Sequence, residues 1–179
     1  MNMMQNNLSQ NIVPVKVSYS FMKIMTLSSL VIDLHNDWTK SIPYALIDHN
    51  PGHPHKTAYD KTKIFARQSG FVSIVDTDKL TNTLSYNLLL NDIPALTFEL
   101  CEPYLINERN VKYGLDSITS ILSHLGMMVP EKERFSYPAP TAYKAGRLLR
   151  YFDKPYSSKS GIIRFIAKPG GEVNHLPRL

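Results

Sequence analysis

The sequence predicts an α/β fold, a mixed, mostly parallel sheet flanked by helices. Three observations carry that expectation. Two apolar runs, Leu30-Val31-Ile32-Asp33-Leu34-His35-Asn36 and Pro94-Ala95-Leu96-Thr97-Phe98-Glu99-Leu100, have the length and the branched and aromatic content of buried strands. Strand-like and helix-like segments alternate from residue 30 to residue 127, the pattern of a layered α/β domain. Each run also delivers one chemically capable residue, His35 or Glu99, near its end, and open α/β sheets gather their chemistry at the carboxyl ends of strands.

Taken in order, residues 1–11 are rich in Asn, Gln and Met and read as a poorly specified start. Ile12 to Val17 is a short strand candidate, demoted to an edge or loop by Pro14. Phe21, Ile24, Met25 and Leu27 lie near helical spacing, so Tyr19 to Leu27 is expected to be a short helix. Trp38 falls in a loop, and Pro43 to Asp48 reads as a strand. A turn-rich loop with His49, His53 and His55 follows. Thr57 to Ser69 is an amphipathic helix closed by Gly70, and Phe71 to Val75 is a strand.

Asp78 or Thr81 is expected to cap a helix reaching about Asn91, with Leu84, Leu88 and Tyr86 inward. In the strand Ile93 to Leu100, alternation sets Leu96, Phe98 and Leu100 against Thr97, Glu99 and Cys101. The clearest helix is Asn107 to Met127. Asn107 is a good N-cap, Glu108 suits the positive helix start, and Val111, Leu115, Ile118, Ile121, Leu122 and Leu125 keep helical spacing. Gly126 ends it, and Pro130 forbids a restart. Beyond Pro130 the texture becomes β-like, with an alternating strand at 160–167 and a turn at Lys168-Pro169-Gly170-Gly171. The expected division is a poorly specified segment 1–18, an α/β domain 19–130, and a small β-domain 135–179 that reads as truncated.

The 179 residues suit one domain with a small appendage, and 43% hydrophobic residues suffice for a core. The net charge of +5 is scattered, with no run of five or six basic residues, so no nucleic-acid partner is expected. No apolar stretch approaches the roughly 18 residues of a membrane span, and no secretory signal is visible. A single cysteine, Cys101, excludes an internal disulfide framework and fits a reducing, cytoplasmic setting.

Two residues stand out chemically. His35 follows Asp33 by two positions, so both project from one face of a strand, and the carboxylate could orient the imidazole. His35 is either a metal ligand or a strand-end histidine held by hydrogen bonds. Glu99 is a carboxylate in an apolar strand, which is costly unless it is paired or functional. It is either a general base or half of a buried salt bridge to Arg67 or Arg109. The loop histidines look like a metal cluster by composition, but the prolines and glycine around them favour a surface loop. His-x-x-Glu, His-Glu-x-x-His, Cys-x-x-Cys and Gly-rich phosphate motifs are all absent, so no cofactor-binding residues are assigned.

At these residues the chain resembles a known family. Val31-Ile32-Asp33-Leu34-His35, then Pro94-Ala95-Leu96-Thr97-Phe98-Glu99-Leu100-Cys101-Glu102, then Ile106-Asn107-Glu108 leading into Gly114–Gly126, look like the succinylglutamate desuccinylase/aspartoacylase family of the zinc carboxypeptidase-like clan. Ser160-Gly161-Ile162-Ile163-Arg164-Phe165 and Lys168-Pro169-Gly170 look like its C-terminal β-domain. The resemblance covers roughly residues 20 to 173, in the order and spacing of these segments rather than in any one motif.

The resemblance implies a zinc-dependent hydrolase that cleaves the amide of an N-acyl amino acid or related acyl compound. His35 matches the family's last zinc ligand. Glu99 matches the base that activates the zinc-bound water. The chain departs from the family in lacking its upstream His-x-x-Glu and Asn-Arg motifs, since no histidine or glutamate precedes His35. Cys101 also stands where a glycine is common. The sequence thus reads as the family's C-terminal portion, with the N-terminal part missing. One Zn2+ is expected in a complete site. The expected partners are a small-molecule N-acyl amino acid, and a separate N-terminal fragment or a second copy. The alternative is a catalytically inactive fragment or interaction module.

Overall fold

The computed structural model describes residues 20–36, 41–100, 104–129, 133–139, 147–152, 157–162 and 166–171. Residues 20–25 are helical, inside the span expected from the Phe21–Leu27 spacing. The regular elements that follow are β1 (Val31–His35), β2 (Tyr44–Ile47), α1 (Lys56–Gln68), β3 (Val72–Val75), α2 (Leu84–Leu89), β4 (Ala95–Glu99), α3 (Glu108–His124) and β5 (Leu148–Arg150). The strands form one sheet in the order β1-β4-β2-β3-β5.

Three of the pairings are parallel, β1 with β4, β2 with β3, and β3 with β5. Only β2 with β4 is antiparallel. This is the mixed, mostly parallel open sheet that the alternation of segments predicts. The single reversal has a consequence for function. The carboxyl ends of β1 and β4 share one sheet edge, and the carboxyl ends of β2 and β3 lie at the other.

Side-chain alternation divides the core between two faces. Ile32, Leu96, Phe98, Ala45 and Ile47 pack with Ala58, Phe65 and Ala66 of α1 and Ile121 of α3. Phe71 anchors this side. It is fully buried and meets Phe98 edge-on with ring centroids 5.2 Å apart and Phe135 at 5.8 Å. Such pairs add to the area they bury, by about 0.5–1.5 kcal/mol each. On the other face Val31 and Ala95 meet Leu84 and Leu88 of α2.

The helix ends follow local chemistry. Asn107 caps α3 as expected, its side-chain oxygen accepting from the backbone N–H of Arg109 and Asn110 at 3.1 and 3.4 Å. Asn107→Ala is expected to cost about 1 kcal/mol in chemical denaturation. Gly70 follows α1 with φ of +77°. A Cβ there would strike the Phe135 carbonyl oxygen. Gly70→Ala should therefore destabilise by more than the roughly 1–2 kcal/mol of a left-handed L-residue, read as a lowered urea midpoint.

Two expectations are corrected. α2 is shorter than expected, and its cap is Thr83 rather than Asp78 or Thr81. Thr83 Oγ1 accepts from the Tyr86 N–H at 3.1 Å and donates to Asp48 at 2.6 Å. The tertiary partner Asp48 holds the threonine that starts the helix. The strand expected at 160–167 is not formed over 160–162 or 166–167, and 163–165 lie outside the described residues. Ile162 and Ile166 are both exposed, and among the described residues no strand pairs with them. The turn at 168–171 is present, closed by Gly171 N–H donating to the Lys168 carbonyl at 2.9 Å. β5, from within the 135–179 segment, extends the main sheet alongside β3. The strand candidate 12–17, Trp38, Cys101 and Glu102 lie outside the described residues.

Candidate active site at the paired ends of β1 and β4

The parallel register sets Asp33 opposite Thr97 and His35 opposite Glu99. Because residues two apart share a face, all four side chains issue from one side of the sheet. His35 is the last residue of β1 and Glu99 the last of β4. The backbone continues the pairing past them, with Leu100 N–H donating to the His35 carbonyl at 2.8 Å.

The imidazole sits between two carboxylates. His35 Nε2 is 3.1 Å from Asp33 Oδ2, and Nδ1 is 3.6 Å from Glu99 Oε1. Both are close electrostatic contacts, and the second lies beyond hydrogen-bond length. The side chains are 52% exposed for His35, 26% for Asp33 and 12% for Glu99. The glutamate is thus the sheltered member and the histidine the one open to solvent. This arrangement can hold a polar ligand over the sheet edge and move a proton to or from Glu99.

Zinc, which the resemblance implies, does not fit the described residues. Catalytic zinc takes three protein ligands and a water. Among the described residues, no group of three or more His, Cys, Asp or Glu side chains is placed to hold a metal. Each ring nitrogen of His35 already lies beside a carboxylate oxygen, at 3.1 and 3.6 Å. Two of the three loop histidines have other partners. His49 stacks on Tyr86 with centroids 4.5 Å apart, and His55 Nδ1 lies 3.2 Å from Asp92 Oδ1.

Tyr44 is a site neighbour that sequence reasoning missed. It pairs with Glu99 across the antiparallel ladder, so its side chain rises beside the glutamate on the same face. The signal was the strand 43–48 itself, but which strand lies beside β4 is a topological fact.

At the opposite edge, Asp48 is buried after β2 and Asp76 follows β3. Burial pushes the Asp76 carboxyl above its ordinary value of 3.8, and the nearby Asp48 adds to this, against the Thr77 N–H and His49. The folded chain therefore holds this proton to higher pH than the unfolded chain. Its stabilising contribution is complete below 3.8 and is lost as pH rises through the raised folded value. Asp76→Asn keeps an acceptor for Thr77 and should raise the urea midpoint at neutral pH, with no gain at about pH 3.

No known family model and no curated protein sequence matches this chain. Solved structures do. A succinylglutamate desuccinylase/aspartoacylase from Rhodobacter sphaeroides superposes with TM-score 0.55 at 21% identity, covering 73% of this chain and 37% of that one. A succinylglutamate desuccinylase from a Silicibacter species gives 0.55 at 13%, over 63% of this chain and 35% of that one. The product-bound ectoine utilization protein EutE from Ruegeria pomeroyi gives 0.53 at 11%, over 71% and 36%. The sequence resemblance and the three-dimensional likeness thus point to the same proteins, and the chain has the fold of the succinylglutamate desuccinylase/aspartoacylase structures over little more than a third of their length.

Proposed function

We propose that this chain carries the proton-transfer machinery of a hydrolase that cleaves the amide of an N-acyl amino acid or related acyl compound. The observation that carries the reading is Glu99. It is a sheltered carboxylate at the end of a buried strand, next to an open histidine, in a fold shared with desuccinylase and aspartoacylase structures. A carboxylate so placed is a general base. Glu99 takes a proton from water as the water oxygen bonds to the acyl carbon. The carbon–nitrogen bond then breaks, and the same proton passes from Glu99 to the departing amine. His35, oriented by Asp33, fixes the position of the glutamate and faces the incoming polar group.

Zinc enters only as a proposal, with His35 as one ligand and the others from outside the described residues. No step above is routed through it. The single cysteine supports a cytoplasmic setting. The test is release of free amine from N-acetyl, N-succinyl and longer N-acyl amino acids, with and without added zinc. Release above the buffer rate supports the reading, and none in either condition overturns it.

A second reading, an interaction module, rests on the far edge of the sheet. β1 is the terminal strand in the described sheet, and a groove of about 480 Å³ runs beside it between Ile32, Leu34, Ile118, Leu122, Leu125 and Met127. Leu34 is 52% exposed. A terminal strand beside an apolar groove favours association. On this reading sedimentation velocity shows concentration-dependent association that Leu34→Glu abolishes. A monomer at all concentrations contradicts it.

A further inference from the structure

On the face that carries Glu99, the sheet continues into a cleft. Tyr44, Val72, Ile74 and Leu149, from β2, β3 and β5, form its floor, and the turn at Pro169-Gly170 forms its roof. The register explains the shared face. Tyr44 pairs with both Glu99 and Val72, and Ile74 pairs with Leu149. With strands about 4.8 Å apart, the floor runs roughly 10 Å from Tyr44 to Leu149, and Glu99 stands one strand beyond it, next to Tyr44. The cleft measures about 340 Å³, within the roughly 300–1,000 Å³ of small-molecule pockets. Among the described residues lining it none is charged. The roof lies close. Gly170 has φ of +74°, and a Cβ there would stand 3.1 Å from Ile42 Cγ2.

One polar atom lines this carbon surface in an unusual state. The Ser41 hydroxyl is buried and has no hydrogen-bond partner among the described residues. Ser41 lies three positions before Tyr44, toward the amino end of β2, and so toward the sheet edge where β4 ends in Glu99. An orphaned buried hydroxyl is costly unless an occupant supplies its partner.

We propose that this cleft holds the hydrocarbon of a medium-length acyl group, its amide end at Glu99 and Ser41 and its tail over Ile74 and Leu149. This inference rests on the amide-hydrolase reading and narrows it. The substrate class becomes N-acyl amino acids with an apolar acyl chain rather than a short or acidic one. Tyr44 becomes the residue that divides the reacting end from the chain pocket.

Binding tests it without turnover. The full chain is titrated with acetate, butanoate, hexanoate and octanoate, and methyl resonances of Val72, Ile74 and Leu149 are followed by NMR. Ile118 and Ile121 serve as reporters for the groove on the opposite face. The expected result is affinity rising about three- to four-fold per added methylene, with shifts confined to the first set. Ile74→Asp removes the length dependence, and the milder Leu149→Gln, on an edge strand, weakens it with the methyl spectrum otherwise intact. Affinity independent of length, or shifts only at Ile118 and Ile121, overturns the proposal. The two readings separate cleanly. Length-dependent binding in a chain that releases no amine counts against the hydrolase alone. Equal amine release from acetyl and octanoyl substrates counts against the chain pocket alone.

Discussion

Phe98→Ala lowers the unfolding free energy by about 3–5 kcal/mol, the range for deleting a fully buried aromatic ring. Phe98 has no exposed surface and lies on an interior strand of the sheet, between β1 and β2. Its ring meets Phe71 edge-on at 5.2 Å, and Phe71 in turn meets Phe135 and Tyr137. Removing it leaves a cavity bordered by α1 and α3, whose helices cannot close on it without shifting the sheet. Domains of this kind have total stabilities of only about 5–15 kcal/mol, so this one change consumes a large part. Urea unfolding followed by circular dichroism measures it. A loss under about 1 kcal/mol would mean that the Phe71–Phe98 contact is not the keystone of this core.

Glu99→Gln reduces amine release by about 10²- to 10⁴-fold, the usual contribution of a positioned general base. The substitution keeps the shape and removes the ability to carry a proton, so stability and the methyl spectrum stay unchanged. A second signature separates base from scaffold. Turnover by the parent chain falls at acid pH as a carboxylate protonates, while the residual activity of the variant shows no such limb. A variant that loses structure along with activity would assign Glu99 to packing instead.

Much of this architecture was legible in the order of residues. The alternation around Phe98 and Glu99 reads directly as one apolar face and one face that carries Thr97 and Glu99, because strand geometry leaves no other arrangement. Asn107 announced the start of α3 for an equally local reason, since its side chain bonds to N–H groups two and three residues on. The pairing of Asp33 with His35 was local as well.

The less visible parts depend on contacts distant in sequence. Thr83 rather than Asp78 or Thr81 caps α2 because Asp48, from the end of another strand, reaches it. The reversal that sets β2 against β4 brings Tyr44 beside Glu99, and no periodicity in either strand announces it. Ile162 and Ile166 show the converse case. Their alternation is strand-like, yet no neighbour pairs with them among the described residues, and they stand exposed. The composition around His49, His53 and His55 favours a surface loop over a metal cluster, and it is a loop with His53 exposed, while the stacking of His49 on Tyr86 is a contact distant in sequence.

The central claim is that Glu99 carries the proton in amide cleavage, and chemical rescue tests it most directly. Glu99→Ala leaves a space where the carboxylate stood, and small carboxylates can enter that space from solution. Amine release from an N-acyl amino acid is measured for this variant with increasing formate. The account predicts negligible release without formate and a dose-dependent return of activity with it. Turnover by Glu99→Ala within two-fold of the parent chain, with no response to formate, would contradict it.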